Sequence, residues 1–296
     1  AHTGQVACRS PSHPIARELI RYAGVPIAAP SANKFGHVSP TRASHVMDDL
    51  GDENVWIVDS DNIMDADTNA MSNHNQDAST SSHCCEVGVE STVARVSIHN
   101  MHMGSKGTIT ILRHGAISAS DIKSCLTNAN MSNKFEVYDN VRSTGTDVAH
   151  VAPGQTIKHY SPSIVSYIIS RQRLDKITEE TLNPWNDEEK ELLQKAVVID
   201  FNGLMSSAST LALAYQDLSV TGSSAEAASN VFQTLRWSET VDGAERVYFP
   251  QIKIYSEDNH ESNQDNSEIQ HDDALILALK DRLTRAASGI VIETLV

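Results

Sequence analysis

Apolar and polar positions along the chain form two stretches of alternating strand-like and helix-like spacing, separated by polar runs with no period. Near the front, Val6-Ala7-Cys8 reads as a short strand, closed by the turn residues Arg9-Ser10-Pro11-Ser12-His13-Pro14. Ile15, Leu19, Ile20 and Ala23 then recur at helical spacing. Ser12 or His13 is placed to cap that helix, Pro14 fits its first turn, and Gly24 is placed to stop it. Residues 25–29 read as a buried strand, and a second helix opens at Ser39-Pro40, with Ser39 as its N-cap, and ends near Leu50-Gly51. Residues 55–58 predict another strand. Residues 60–85 are rich in Asn, Ser, Asp and His without an apolar period, which predicts a disordered insertion. Val93, Ala94 and Val96 begin a strand expected to pair with residues 108–112.

After the turn-rich stretch 151–162, which reads as a linker, the alternation restarts. Residues 164–169, 196–201 and 247–249 are strand candidates. A helix over 225–238 is opened by Ser223-x-x-Glu226, the pattern of a capping box. A last helix, 274–287, carries Leu275, Leu279, Leu283 and Ala286 on its apolar stripe and is followed by Gly289. Residues 256–273 form a second polar insertion. Strands alternating with helices predict a small parallel α/β domain from residue 163.

At 296 residues the chain has room for about two such domains, at roughly 150 residues each. No apolar run approaches the roughly 18 residues of a membrane span, and the start Ala1-His2-Thr3-Gly4 resembles neither a signal nor a transit peptide. A chain that opens almost inside a strand reads as an N-terminally truncated one. The net charge of −15 argues against a nucleic-acid partner, but residues 1–47 carry five basic groups and one acid. The front is therefore locally basic, and the acidity sits in 175–191 and 257–273. Cys8, Cys84, Cys85 and Cys125 form no C-x-x-C pair, so reduced thiols in a cytosol-like compartment are expected rather than a metal at His83-Cys84-Cys85.

Candidate chemistry rests on hydroxyls, amides and guanidiniums. Ser31-Ala32-Asn33 follows a predicted strand, at the carboxyl end where α/β sheets favour ligands. Ser39, at a predicted helix start, suits an anion such as phosphate. The alternative is that Ser31 and Asn33 build a turn and Ser39 only caps. Arg9 suits a carboxylate held by two prongs, or a solvated surface charge. Gly88-Val89-Glu90-Ser91-Thr92-Val93 sets a glycine, an acid and two hydroxyls before a strand, as either a ligand loop or a plain turn. Arg113-His114-Gly115 ends the partner strand, and Tyr160 in the linker has a stacking face and a hydroxyl with which to cover the same place.

Taken in order, these segments resemble one family, the threonylcarbamoyl-AMP synthases that join a YrdC-type domain to a C-terminal domain. The resemblance rests on Val6-Ala7-Cys8-Arg9-Ser10-Pro11, Gly24-Val25-Pro26-Ile27-Ala28-Ala29-Pro30-Ser31-Ala32-Asn33 and Ser39-Pro40-Thr41. It continues through Gly88-Val89-Glu90-Ser91-Thr92-Val93, Ile111-Leu112-Arg113-His114-Gly115 and Pro153-Gly154-Gln155-Thr156-Ile157-Lys158-His159-Tyr160-Ser161-Pro162, with Asp281-Arg282-Leu283-Thr284-Arg285 resembling the tail. It implies an α/β fold: the C-terminal portion of a YrdC-like twisted-sheet domain at 1–150, a linker at 151–162, and a smaller Rossmann-like α/β domain at 163–296.

The activity implied is condensation of L-threonine, bicarbonate and ATP into threonylcarbamoyl-adenylate and pyrophosphate, for threonylcarbamoyladenosine in tRNA. By position, Arg9, Ala29 and Ser91 would contact threonine, and Ser31, Asn33, Ser39, Arg113 and Tyr160 the nucleotide. ATP would be a substrate, with Mg²⁺ carried by its phosphates and no protein metal site. Further partners would be tRNA or the threonylcarbamoyl-transfer complex, in the cytoplasm and without a membrane. No side-chain nucleophile is expected. Three departures stand out: the family's K-x-R phosphate motif is absent, Gln5 replaces a smaller residue, and His114 replaces a proline. The missing motif leaves a non-catalytic RNA-binding module as the alternative. A carbamoyltransferase relative fits less well, because that family embeds the domain differently.

Overall fold

The computed structural model describes residues 4–34, 36–59, 87–98, 106–139, 160–179, 184–253 and 273–296. It is a mixed α/β chain with two sheets. In order, the elements are α1 (Pro14–Ala23), α2 (Ala43–Leu50), β1 (Val93–Ser97), β2 (Gly107–Arg113), α3 (Ala119–Asn128) and β3 (Phe135–Asp139). They continue with β4 (Val165–Ile169), α4 (Arg171–Glu179), α5 (Asp187–Leu193), β5 (Ala196–Asp200), β6 (Ala214–Asp217), α6 (Ser224–Glu239), β7 (Arg246–Pro250), α7 (Ala274–Ala286) and β8 (Val291–Ile292).

The second sheet has the order β6-β5-β7-β4-β8, and its strand pairs are parallel. A parallel strand covered on both faces has to be apolar throughout, and β5, Ala196-Val197-Val198-Ile199-Asp200, is buried at every position. Because side chains alternate across a strand, Val197 and Ile199 join Val247 and Phe249 under α6 and α7, against Val231, Leu235, Leu279 and Leu283. Ala196, Val198 and Tyr248 face the other way, against Leu174 of α4, Leu193 of α5 and Trp185. Helices on both faces of a parallel sheet give the α/β architecture expected from residue 163 onward. Each of the three strands and two helices predicted there forms within two residues of its expected bounds.

The capping at α6 differs in detail. Ser223 Oγ accepts from the Glu226 backbone N–H at 3.3 Å, but the Glu226 carboxylate takes the Ser219 hydroxyl instead of turning back to Ser223. Ser219 Oγ caps the Ser223 N–H at 2.9 Å, so the expected reciprocal box is half formed.

The first sheet is smaller. β1 and β2 pair antiparallel, with a register shift between Val93 and Ala94, and β3 adds parallel to β2. The β1–β2 pair is the one the sequence predicts; β3 and α3 are additional.

Residues 4–59 depart most from expectation. The segments at 6–8, 25–29 and 55–58 form no strand pairing and, apart from half-buried Ile57, are exposed, with Trp56 97% accessible. A strand is defined by a neighbour that takes its backbone hydrogen bonds, and apolar content alone does not supply one. α1 forms as predicted, with Pro14 in its first turn and Gly24 in the left-handed conformation as C-cap, while His13 makes no side-chain cap. α2 starts at Ala43 behind Arg42, so Ser39 lies in the approach to the helix and does not cap it. The insertion at 60–85, the cysteine pair Cys84-Cys85, and residues 151–159 of the linker with His159 lie outside the described residues, as does nearly all of 256–273.

Both halves contribute to one core. Val38, Val89 and Tyr160 are buried in the same cluster as Phe232, Leu235, Leu279 and Leu283 of α6 and α7. That shared packing places the candidate site.

Candidate active site

The site is built where the Gly88–Thr92 loop runs between the two sheets. Gly88 has φ +73°, and a Cβ there would lie 2.2 Å from the Ala228 carbonyl oxygen and 2.2 Å from Ser229 Cα, both in α6. Only a residue without a side chain lets the loop approach the helix backbone that closely. Close approach buries Val89 and delivers the Glu90 carboxylate to α7. From the other side, Gly115 brings its backbone against Thr92 N and the Glu90 carbonyl, where a Cβ would sit 2.2 and 2.5 Å away. Thr92 Oγ1 donates to the Ile117 carbonyl (2.8 Å) and accepts from the Ile117 N–H (3.0 Å), which fixes the loop to the strand end beyond β2.

Glu90 is the hub. Its Oε1 accepts the Ser39 hydroxyl at 2.8 Å, and its Oε2 accepts Arg282 Nε at 3.0 Å. Arg282, on α7, is fully buried. Its Nη1 donates to the His114 carbonyl at 2.9 Å and to Asp281 Oδ2 at 3.1 Å. Its guanidinium carbon stands 5.7 Å from the centroid of the Tyr160 ring, which packs on Phe232 of α6 at 5.3 Å. Arg113 is buried and donates from Nε and Nη2 to the Ser91 carbonyl, at 3.2 and 2.9 Å. A second bridge runs from Arg236 of α6 to the Val38 carbonyl (2.6 Å) and Asp49 Oδ2 (2.7 Å), tying the approach to α2 onto the same helix.

Charge follows from this packing. Burial pushes the Glu90 carboxyl up, but the guanidinium of Arg282, then that of Arg113 and the Ser39 hydroxyl, outweigh it and hold Glu90 below its ordinary value. Burial opposes the charge on Arg282, and Glu90, Tyr160 and Asp281 together more than offset this, so its guanidinium is held above its ordinary value. The Tyr160 hydroxyl is pushed well up by burial and then by the Glu90 charge, so it stays protonated. The cluster thus presents the Glu90 and Asp281 carboxylates, two guanidiniums, a neutral phenol and a hydroxyl within one buried junction.

Of the residues the sequence singles out, the structure brings Ser39, Arg113 and Tyr160 together here, with Ser91 contributing its carbonyl. Arg9, Ala29 and Ser31 are exposed, outside the buried cluster. Asn33 Nδ2 donates to the Lys34 and His37 carbonyls at 2.9 and 3.1 Å, which is the turn-building role. Two further members of the cluster, Glu90 and Arg282, are not among the candidates the sequence singles out. Glu90 sits inside a quoted motif, and Arg282 interrupts the apolar stripe of α7, three residues after Leu279 and four before Ala286. A cation on a buried stripe is the signal that finds it. Among the described residues, no group of three or more His, Cys, Asp and Glu side chains is placed to hold a metal ion.

A family model described as telomere recombination matches residues 1–72, and the model for the threonylcarbamoyl-AMP synthase C-terminal domain matches residues 117–288. The chain belongs to the threonylcarbamoyl-AMP synthase family. Among its relatives, the threonylcarbamoyl-AMP synthase of Schizosaccharomyces pombe is 33% identical over 158 residues, covering 53% of this chain and 31% of that protein. The threonylcarbamoyl-AMP synthase of Pyrococcus abyssi is 28% identical over 189 residues, covering 63% and 45% respectively. That of Bacillus subtilis is 57% identical over 54 residues. A solved structure of P. abyssi Sua5 complexed with L-threonine superposes with a TM-score of 0.62 at 25% identity, covering 96% of this chain and 64% of that one. This member of the synthase family therefore spans less than half the length of the relatives matched by sequence, and under two thirds of the solved one.

Proposed function

We propose that this chain takes part in making L-threonylcarbamoyladenylate and pyrophosphate from L-threonine, bicarbonate and ATP, for threonylcarbamoyladenosine in tRNA. The observation that carries the reading is the buried junction of Ser39, Glu90, Arg113 and Tyr160 in a chain of this family. The threonine amine and bicarbonate give a carbamate with loss of water. A carbamate oxygen then attacks the α-phosphorus of ATP, and pyrophosphate leaves. Such a reaction depends on positioning and charge neutralisation, with no covalent enzyme intermediate.

Arg9, Ala29 and Ser91 would contact threonine, and the L-threonine bound in the P. abyssi relative supports an amino acid as one substrate. Ser31, Asn33, Ser39, Arg113 and Tyr160 would contact the nucleotide. Mg²⁺ would arrive with the phosphates, since Glu90 is engaged by Arg282 and Ser39. Residues 1–150 and 163–296 would act as two domains about the linker. A cytoplasmic setting fits the free thiols of Cys8 and Cys125, and no helix among the described residues is long and apolar enough to cross a membrane.

Incubating the chain with ATP, Mg²⁺, bicarbonate and L-threonine tests the reading. Because the family's K-x-R phosphate motif is absent from residues 1–150, the expected result is weak threonine-dependent pyrophosphate release, with the adenylate sought by mass spectrometry. Neither product, together with salt-sensitive tRNA binding, would replace it with the RNA-binding alternative.

A further inference from the structure

We infer that Arg282, on the last long helix, is a positioning residue for the nucleotide site: through Glu90 it holds the Ser39 hydroxyl as a hydrogen-bond acceptor toward the ligand. This deepens the proposed function and rests on it.

Arg282, like Arg285, is buried on α7, and a buried guanidinium has to offset the cost of leaving water. Leucine would pack α7 against the core without that penalty, so the packing of α7 does not by itself call for a cation. Each partner of Arg282 outside α7 belongs to the candidate site. The Glu90 carboxylate lies beside Ser91 and binds Ser39, the His114 carbonyl follows Arg113, and the Tyr160 ring lies against the guanidinium. A single side chain from the C-terminal half thus orients three segments from outside it.

The consequence for Ser39 follows from donor and acceptor counting. A serine hydroxyl has one proton and two lone pairs. Glu90, ionised beside Arg282, can only accept, so the Ser39 proton is committed to Oε1 at 2.8 Å. What Ser39 Oγ has left for a ligand is a lone pair. It is therefore set to receive a donor, such as a ribose hydroxyl or the adenine amino group, and is unsuited to a phosphate oxygen. Arg282 keeps that polarity by keeping Glu90 ionised and fixed in place.

Calorimetric titration of the full chain with a non-hydrolysable ATP analogue tests this, using Arg282→Gln, Arg282→Lys, Glu90→Gln and Ser39→Ala, with the thermal midpoint of each recorded. Arg282→Gln is expected to weaken ATP-analogue binding about tenfold or more, the loss of one well-placed hydrogen bond. Arg282→Lys should recover part of that. Glu90→Gln, which can donate its amide to Ser39 and reverse its polarity, should weaken binding comparably, and adding Ser39→Ala to it should cost nothing further. Lowered midpoints with unchanged affinity in the folded variants would overturn the positioning role alone. No affinity in the wild-type chain would overturn both this role and the proposed function.

Discussion

Gly88→Ala is expected to destabilise the chain by about 2–4 kcal/mol, from a left-handed backbone penalty of about 1 kcal/mol and an overpacking cost of about 1–3 kcal/mol. The second contribution is the larger because the new methyl would meet backbone: the Ala228 carbonyl oxygen and Ser229 Cα, each 2.2 Å away. A side chain could rotate aside, but a helix backbone in a packed core can only move as a body. Relief therefore comes from lifting the loop off α6, which withdraws Val89 from the core and Glu90 from Arg282. Gly243→Ala separates the two contributions. Gly243 has φ +78°, but its nearest neighbour to an added Cβ is Leu213 Cδ2 at 4.0 Å, so it carries the backbone penalty alone. Urea unfolding should show Gly88→Ala losing at least twice what Gly243→Ala loses. Equal losses would mean that the loop does not press on α6 as described.

What the sequence makes legible follows from how local each signal is. β5 and β7 were readable because a strand buried on both faces writes its surroundings into a continuous apolar run. α6 and α7 were readable because an amphipathic stripe reports the face it buries. β6, Ala-Tyr-Gln-Asp, and β8, Val-Ile, lie at the sheet edges: the first is half polar, and the second is only two residues long, too short to show a period. β3, Phe-Glu-Val-Tyr-Asp, does alternate, and its signal was present. The segments at 6–8, 25–29 and 55–58 fail for a different reason: an apolar run records a tendency to be buried without naming the partner that would bury it.

The site divides in the same way. Ser39, Arg113 and Tyr160 stood out as chemically capable side chains at turn or strand ends. Glu90 and Arg282 act through each other across 192 positions, a pairing that no local pattern encodes. The role of Ser39 also changed on folding, from an expected helix cap to a donor to Glu90, because the helix begins four residues later.

Asp200→Ala is expected to remove about 3 kcal/mol or more from the C-terminal half, and Asp200→Asn to abolish a pH dependence. Asp200 ends β5, fully buried, and accepts three hydrogen bonds: from Phe201 N–H at 2.7 Å, Met205 N–H at 2.9 Å and the Tyr215 hydroxyl at 2.7 Å. Alanine would leave the buried Phe201 and Met205 amides without their acceptor, at about 1–3 kcal/mol for each, and would also strand the part-buried Tyr215 hydroxyl. The three donors favour the ionised form, yet burial outweighs them, and with the nearby Asp217 charge the carboxyl is pushed up to about 6 from 3.8. A carboxyl raised on folding binds its proton more tightly in the native state. Its contribution is therefore complete below about pH 3.8 and is lost as the pH rises through about 6. At about 1.4 kcal/mol per pKa unit, the change across that window is on the order of 3 kcal/mol. Other carboxylates titrate in the same range, so the informative quantity is the difference between wild type and Asp200→Asn, read from urea midpoints between pH 4 and 7. Asparagine keeps an acceptor oxygen but no titrating proton. Wild type should lose its advantage steadily as the pH rises, and a difference that stays flat would show that Asp200 is already ionised across the window, with its three donors prevailing over burial.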